Sequence, residues 1–332
     1  MAATGGREIP VYATDPLDRR ITARFGVFSA GDGVKTAVVE MAAASGLSLV
    51  GEDNRAMEAS TFGTGELIKA ALDEKCGRII VGIGGSATTD GGTGMATALG
   101  ARFVDIDGEP VPPGGGRLVR LEKIELGAID ARLRQTDILV ACDVDNPLFG
   151  QKGAAHVYAP QKGADTQEVE ELDRGLRRLA QVVAESPGID IADMRGAGAA
   201  GGLGAGLVAF TGAKLVSGVD LIGDAIDLSA RIAKADLVIT GEGRIDSQTL
   251  RGKTPIGVAK RAREAGVPVV AIAGTIGDGA EKVYEAGISA MEPLCAGPMS
   301  LEEALANAAD LLESAAERLM RAIGVGAGIA PI

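Results

Sequence analysis

The chain is poor in residues on which several common functional classes depend. Of its 332 residues, one is histidine, three are cysteine and none is tryptophan. A Ser-His-Asp or Cys-His catalytic centre is excluded unless the single histidine, His156, is its general base. The strand-like sequence around His156 favours a structural role for it instead. Cys76, Cys142 and Cys295 are far apart and form no CxxC pair. We therefore expect reduced thiols, with neither a disulfide framework nor a structural zinc site.

Long hydrophobic runs and basic clusters are also missing. The longest apolar stretch, residues 267–276, is too short to cross a bilayer, and residues 1–10 lack the basic and apolar regions of a signal peptide. The formal net charge is −12, which argues against a nucleic-acid partner. We expect a cytoplasmic protein that acts on a small molecule and not on nucleic acid or a membrane. The oligomeric state stays open, with a homodimer as one option.

Glycine, by contrast, is abundant. The 49 glycines cluster after strand-like apolar runs, a pattern typical of the βα turns of α/β enzymes. Residues 81–103 show it best, because a buried strand leads into a glycine-rich turn and then into a helix around Met95. Such a turn lets the backbone approach a ligand, and the helix N-terminus can hold a phosphate or carboxylate. Asp90, in the middle of the turn, fits metal binding or proton transfer better than a simple anion cradle.

The order of predicted elements changes along the chain. Residues 9–50 have the pattern of short strands joined as hairpins, whereas helices and continuous apolar strands follow from residue 64. This pattern predicts an α/β fold with a doubly wound, Rossmann-like parallel sheet and a second, inserted α/β domain. We assign residues 63–143 plus 216–323 to the Rossmann-like domain and residues 1–62 plus 144–215 to the inserted domain.

Acidic and amide side chains follow the predicted parallel strands, at the edge where such sheets bind ligands. Carboxylates there can hold Mg²⁺ or orient a hydroxyl group, while glycine turns hold phosphates. The set therefore favours phosphoryl transfer, although each acid alone could simply cap the following helix. The residues are Asp90, Asp143, Asp145, Asn146, Glu242, Asp246 and Asp278.

Other motifs are weaker. Gly82, Gly84 and Ala87 match the dinucleotide-binding fingerprint, and Asp105 and Asp107 stand where a ribose-binding acid is expected. The turn here also contains Asp90 and a second glycine pair, Gly91 and Gly92, which a tight pyrophosphate-binding turn does not need. No Walker P-loop is present. The stretch 198–206 fits a close helix-packing segment and a ligand loop equally well.

Four long blocks resemble the signature blocks of the bacterial glycerate kinase family. They are residues 83–103, 141–164, 196–210 and 236–262, in the family's order. The resemblance implies an ATP-dependent, Mg²⁺-requiring kinase that converts D-glycerate, typically to 2-phosphoglycerate, with two α/β domains around a cleft.

The resemblance also assigns candidate residues by position. The roles of these residues are inferred from carboxylate chemistry and not from the resemblance. We expect Asp143 and Glu242 to hold or orient Mg²⁺, and Asp90 or Asp246 to contact the glycerate hydroxyl, so that Asp90, Asp143 and Asp246 are the candidate catalytic residues. The candidate substrate- and phosphate-binding residues are Gly84, Gly85, Ser86, Gly91, Gly92, Asn146, Gly201 and Gly202. Ser86 is expected to contact phosphate.

Against the family pattern, the chain starts after a first strand with a Pro-Asp-Ser-Phe-Lys-like turn and after an Asp-Gly-Gly-Glu-Gly-Thr segment. A sheet strand and part of the cleft are therefore expected to be missing. Three functions follow as alternatives: a glycerate 2-kinase, a member that binds nucleotide or glycerate without turnover, and an NAD(P)-dependent oxidoreductase supported only by the fingerprint at residues 82–87.

Overall fold

The computed structural model describes residues 4–326 apart from residues 30, 54, 248 and 252. The chain divides into two compact units, residues 1–221 and residues 222–332, with the division inside one helix. None of the helices in the described part of the chain is long and apolar enough to span a bilayer.

The strands are β1 (Arg7–Thr14), β2 (Arg20–Ser29), β3 (Lys35–Glu40), β4 (Arg78–Gly82), β5 (Arg102–Val104), β6 (Lys123–Glu125), β7 (Asp137–Ala141), β8 (Lys214–Val216), β9 (Val238–Ile245), β10 (Val269–Ile276) and β11 (Ala290–Pro293). The α-helices are α1 (Ala42–Ser45), α2 (Leu47–Val50), α3 (Phe62–Asp73), α4 (Thr93–Ala98), α5 (Ala154–Tyr158), α6 (Thr166–Glu185), α7 (Leu203–Thr211), α8 (Gly218–Ala225), α9 (Leu228–Ile232), α10 (Thr254–Glu264), α11 (Leu301–Ala306) and α12 (Ala308–Gly326).

The first unit is built on a mixed sheet whose described strands run in the order β1-β2-β3-β4-β7-β8. The pairs β1–β2 and β2–β3 are antiparallel, as the hairpin pattern predicts, and the pairs from β3 to β8 are parallel. Val81 lies opposite Val39 on one side and Val140 on the other. All three side chains are fully buried, because helices cover the parallel part of the sheet.

Helix α6 shows how sequence and packing agree in this unit. Asp165 accepts hydrogen bonds from the backbone N–H groups of Gln167 and Glu168, and the Glu168 side chain accepts one from the Asp165 N–H, which is a complete capping box. One face of the helix carries Leu172, Leu176, Leu179 and Val183, all with no exposed surface. The helix thus begins where its cap predicts and buries the stripe that its 3.6-residue period creates.

The second unit has a parallel sheet in the order β11-β10-β9 within its described residues. Alternate residues of β10 face opposite sides. Val269 and Ala271 join the cluster that includes Ala259 of α10, whereas Val270 and Ile272 pack with Ala315 and Leu319 of α12. Helices therefore cover both faces of this small sheet, and the predicted Rossmann-like α/β class is confirmed for the chain.

The structure divides the chain differently from the predicted domains. Strands β4 and β7, assigned to the Rossmann-like domain, share one hydrogen-bonded sheet with β1–β3 of the predicted inserted domain. Strands β9 and β10 pair with each other and with β11 instead. The predicted split at residues 63, 144 and 216 is therefore not the one observed, because buried parallel strands look alike in sequence and pairing depends on distant contacts.

Three local predictions are wrong as well. Residues 154–158, read as a strand around His156, form α5. Strand β9 does not end before Glu242 but continues to Ile245, because Glu242 pairs with Ala273 and Ile245 with Ile276 on β10. The Ala-, Leu- and Glu-rich pattern of residues 301–323 predicts one closing helix, but the structure interrupts it at Asn307, which separates α11 from α12.

Candidate functional site

The first unit contains a cavity of about 490 Å³ at the carboxyl ends of β4 and β7. These strands end in register, with Gly82 opposite Ala141, so the turns that follow them form adjacent walls. The lining comes from four segments: Leu47 with residues 83–86, residues 141–144, Tyr158 with Gln161 and Lys162, and Ala199 with Ala200. Its position matches the edge at which the sequence predicts ligand binding.

The turn after β4 supplies Gly84, Gly85 and Ser86, and these three predicted residues do line the cavity. Backbone hydrogen bonds fix the turn to the helices before it: the Leu47 N–H donates to the Gly85 carbonyl over 2.9 Å, and the Ala87 N–H to the Ser45 carbonyl over 3.0 Å. Gly85 has φ +71°, a conformation that a residue with a Cβ rarely adopts. The turn is thus a rigid wall of the cavity with little side-chain bulk.

Asp143 lies just beyond the end of β7 and also lines the cavity. Its Oδ1 accepts a hydrogen bond of 2.8 Å from the backbone N–H of Gly218, the first residue of α8. A Cβ at Gly218 would stand 2.7 Å from Asp143 Oδ2, so the close approach requires glycine. The exposed carboxylate is held by one oxygen, and in the described part of the chain Oδ2 has no hydrogen-bond donor.

Asn146 contacts a residue that lines the cavity. Its Oδ1 accepts a 2.7 Å hydrogen bond from the hydroxyl of Tyr158, which lines the cavity, and its Nδ2 donates to the Lys152 carbonyl. The predicted substrate-binding residue therefore positions Tyr158 and is not itself among the lining residues.

Lys162 is the functional candidate that the sequence reasoning missed. It ends a 3₁₀ turn after α5, lines the cavity and has only 1% of its surface exposed. Its Nζ donates a 2.6 Å hydrogen bond to the Thr88 carbonyl. Burial lowers the pKa of its ammonium group to about 7, and the negative charge of Asp90 partly offsets this shift. Nothing local marks this lysine, because a lysine between Gln161 and Gly163 reads as a solvated turn.

Two further titratable groups line the cavity without adding charge. Burial raises the pKa of the Cys142 thiol and of the Tyr158 phenol above their usual values. Both side chains are therefore neutral at pH 7, and the charge of the cavity wall comes from Asp143 and from the protonated fraction of Lys162.

Asp90 is not among the residues that line the cavity, and its predicted contact with a substrate hydroxyl stays a prediction. The side chain has no exposed surface, and its Oδ2 accepts hydrogen bonds from the Thr61 N–H, the Thr61 hydroxyl and the Gly94 N–H, while Oδ1 accepts one from Gly92. Burial raises the pKa of this carboxyl, although the four donors favour its ionised form. Through these bonds Asp90 joins the glycine turn to the start of α3.

The predicted ligand glycines at residues 91, 92, 201 and 202 also lie in the interior. A Cβ on Gly91 would overlap the Leu179 side chain, and one on Gly201 would overlap the Thr88 carbonyl. A Cβ on Gly202 would stand 2.8 Å from the Gly91 Cα. These glycines let the turn after β4 and the N-terminus of α7 touch backbone to backbone. Both interpretations of residues 198–206 therefore hold in part, because the glycines pack closely whereas Ala199 and Ala200 line the cavity.

Glu242 and Asp246 belong to the second unit. Glu242 is half-buried on β9 and lines a different cavity, of about 470 Å³, together with Ile239, Ile272 and Leu312. Asp246 follows β9, and its carboxylate accepts a 2.9 Å hydrogen bond from Arg244 Nε. The predicted roles of both residues stay predictions.

The described side chains that could coordinate the expected Mg²⁺ are few. Among residues 4–326 outside the four undescribed positions, no group of three or more His, Cys, Asp or Glu side chains is arranged to hold a metal ion. Mg²⁺ in phosphoryl-transfer sites is commonly held by one or two carboxylates, substrate phosphates and water. Asp143, exposed with one carboxylate oxygen unoccupied by the protein, fits that coordination.

The dinucleotide fingerprint has no structural support at this site. Asp105 accepts hydrogen bonds from the backbone N–H groups of Asp107 and Glu109, each at 3.0 Å, and so stabilises the turn after β5. Neither aspartate is among the residues that line the cavity.

Comparisons with known proteins agree on one family. The model of the glycerate kinase family matches residues 1–324. The chain is 51% identical to a glycerate kinase of Halalkalibacterium halodurans over 96% of this chain and 83% of that protein. It is 49% identical to a glycerate kinase of Bacillus subtilis over 97% and 84% of the two chains.

A glycerate 2-kinase of Escherichia coli is 45% identical over 98% of this chain and 85% of its own length. A crystal structure from Salmonella typhimurium, named glycerate kinase 2, superposes with a TM-score of 0.82 at 44% identity and covers 99% of this chain and 85% of that one. The oxidoreductase alternative is therefore wrong. With a family model over residues 1–324 and relatives at 45% to 51% identity, the chain belongs to the glycerate kinase family and is a kinase.

Proposed function

We propose that this chain transfers the γ-phosphoryl group of ATP to D-glycerate in the presence of Mg²⁺ and releases 2-phosphoglycerate. The observation that carries the proposal is the cavity at the ends of β4 and β7. It combines a glycine turn, a carboxylate and a buried lysine in a chain of the glycerate kinase family. Phosphoryl transfer depends mainly on positioning and charge neutralisation, and these groups supply both.

The cavity is larger than one small hydroxy acid requires. A volume of about 490 Å³ lies within the range of sites for drug-sized ligands. It therefore accommodates the acid together with phosphate groups of the nucleotide. The exposed turn at Gly84 and Gly85 offers backbone next to the Ser86 hydroxyl, which suits contacts with phosphate oxygens.

Asp143 is proposed to hold Mg²⁺ through Oδ2 while Oδ1 stays bonded to the Gly218 N–H. Mg²⁺ neutralises charge on the phosphates during the transfer. The Gly218 hydrogen bond fixes the carboxylate before the ligands arrive, so that little side-chain reorganisation is needed. Tyr158, positioned by Asn146, completes the polar wall.

The experiment that tests the proposal follows phosphorus directly. The protein is incubated with ATP, Mg²⁺ and D-glycerate, and the products are examined by proton-coupled ³¹P NMR. A phosphate on the secondary carbon couples to one proton and gives a doublet, whereas a phosphate on the primary carbon couples to two and gives a triplet. A new doublet that needs all three components supports the proposal.

Other outcomes have distinct meanings. A triplet would assign the 3-position and correct the product. Binding of D-glycerate by calorimetry without any turnover would favour the non-catalytic alternative. Absence of both binding and turnover would reject D-glycerate as the substrate.

A further inference from the structure

Lys162 is the most enclosed polar side chain of the cavity in the first unit. Ser86 and Tyr158 are half-buried and Asp143 and Gln161 are exposed, whereas Lys162 shows 1% of its surface. The exposure of these polar side chains thus differs along the wall: Lys162 is enclosed, whereas the Asp143 carboxylate is open to solvent. A ligand that reaches Lys162 must enter the cavity.

The hydrogen bonding of this lysine is incomplete. An ammonium group has three N–H donors. Within the described residues, the Thr88 carbonyl is the one acceptor of the Lys162 Nζ, at 2.6 Å. Asp90 is near enough for its charge to favour the ammonium, but its carboxylate oxygens accept from Thr61, Gly92 and Gly94 and not from Lys162. In its protonated form, Lys162 therefore has two donors left for a ligand that enters the cavity.

A buried cation with spare donors is complemented best by an oxyanion, because a charge-assisted hydrogen bond is stronger than a neutral one. The reaction offers two kinds of oxyanion, the carboxylate of the acid and the phosphates of the nucleotide. The triphosphate is the larger group and suits the open turn at Gly84 and Gly85. The acid is small enough to occupy the enclosed end.

We propose that Lys162 binds the carboxylate of the hydroxy-acid substrate and so makes the kinase specific for acids over neutral polyols and amides. The inference rests on the proposed function. The carboxylate does not change in the reaction, so Lys162 acts as an anchor that fixes which end of the acid points into the protein. The hydroxyl groups are thereby directed towards the turn and Asp143.

The test compares wild type with K162M and K162R in steady-state kinetics. Lys162→Met removes the charge and is compatible with burial, and Lys162→Arg keeps the charge. Lys69→Met, on the exposed surface of α3, is the matched control. For each variant, KM is measured for D-glycerate and for ATP, and kcat/KM is measured for D-glycerate and for D-glyceramide, its neutral amide.

The proposal predicts that K162M raises the KM for D-glycerate by about 10- to 100-fold, as expected for loss of a hydrogen bond to a charged group. The KM for ATP stays within about threefold of wild type, and the preference for D-glycerate over D-glyceramide is lost. K162R recovers part of that preference, and K69M behaves as wild type. A purely structural role would lower the turnover of both substrates together and leave the preference unchanged.

Three results would overturn the proposal. A raised KM for ATP with an unchanged KM for D-glycerate would assign the anchor to phosphate. Unchanged constants for both substrates would show that Lys162 binds neither anion, and a preserved preference in K162M would exclude the carboxylate. If K162M fails to fold, the charge requirement is tested by the rise in melting temperature that D-glycerate alone causes. We expect this rise in the wild type, a smaller rise in K162R and none in K162Q, which is neutral but polar. A full rise in K162Q would overturn the proposal. Failure of the wild type to act on D-glycerate is a separate outcome, which rejects the proposed function itself.

Discussion

The Nζ of Lys162 donates a hydrogen bond of 2.6 Å to the carbonyl oxygen of Thr88. This contact connects the segment after α5 to the turn that holds Asp90. Gly201 packs against the same Thr88 carbonyl so closely that a Cβ would overlap it. The peptide group of Thr88 therefore contacts both Lys162 and the loop that precedes α7. The inner wall of the cavity is thus part of the protein core.

The first prediction concerns stability and pH. Burial lowers the pKa of Lys162 from 10.5 to about 7 in the folded state. Between about pH 7 and 10.5 the unfolded chain therefore binds more protons than the folded one, so the contribution of Lys162 to the free energy of unfolding increases with pH, by at most about 1.4 kcal/mol per unit. Below about pH 7 both states are protonated and the contribution levels off at its lowest value.

Urea denaturation of wild type and K162M from pH 6.5 to 9.5 measures this effect. We expect the wild type to gain stability relative to K162M as the pH rises, because methionine has no proton to release. Lys69→Met serves again as the control and should follow the wild-type curve. Parallel curves for wild type and K162M would show that the lysine is not buried as described.

The second prediction separates a structural from a catalytic role for Asp90. Asp90→Ala leaves the Thr61 N–H and hydroxyl and the Gly92 and Gly94 N–H groups without their buried acceptor. We expect the free energy of unfolding to fall by about 3 kcal/mol or more. Asp105→Ala, which removes an acceptor from an accessible turn, should cost only about 1 kcal/mol.

Chemical denaturation of the two variants, with activity measured on the folded fraction, checks this assignment. A D90A protein of wild-type stability that has lost all turnover would show that Asp90 takes part in the reaction instead.

The sequence predicts the local elements well where the signal is local. The apolar run that ends at Val81 belongs to β4, and the capped, periodic segment that follows Asp165 forms α6. It also places Asp143 and Gly84 at the carboxyl ends of parallel strands, where the cavity lies. Those predictions depend on hydrophobic periodicity and on the rule that parallel strands present their carboxyl ends at one edge.

What the sequence cannot supply is the set of distant contacts. Asp90 and Asp143 both follow a strand within a glycine-containing segment, yet one is enclosed by four donors and the other is exposed. Lys162 is buried because Thr88 and the cavity wall surround its side chain, and neither is near it in sequence. Pairing of β4 with β3 and β7, instead of with β9, is likewise decided by packing of whole helices and not by any residue pattern within the strands.

The third prediction uses backbone strain at the cavity wall. Ala200 has φ +53°, a left-handed conformation that costs a residue with a Cβ about 1–2 kcal/mol, and it lines the cavity. Ala200→Gly removes this strain and adds about 0.5–1 kcal/mol of unfolded-state entropy, so we expect a stability equal to or slightly above that of wild type. Ala205→Gly, inside α7, should lose about 1 kcal/mol.

Guanidinium unfolding of both variants gives the comparison. A higher free energy of unfolding for A200G than for A205G supports the described backbone. A fall of 1 kcal/mol or more in the free energy of unfolding of A200G, relative to wild type, would show that Ala200 is not in the left-handed conformation.

The most direct test of the proposed active site is the turnover number of Asp143→Asn beside that of Asp137→Asn, at the opposite end of the same strand. Among residues whose positions the structure describes, the Asp137 carboxylate pairs with Arg78 and Lys214 at the surface, at 3.5 and 3.4 Å. We predict that D143N keeps the wild-type melting temperature and loses at least about 100-fold in kcat with ATP, Mg²⁺ and D-glycerate, because the group proposed to hold the metal loses its charge. D137N should retain near wild-type turnover. A folded D143N enzyme within a few-fold of wild-type kcat would contradict the assignment of the cavity at the ends of β4 and β7 as the site of phosphoryl transfer.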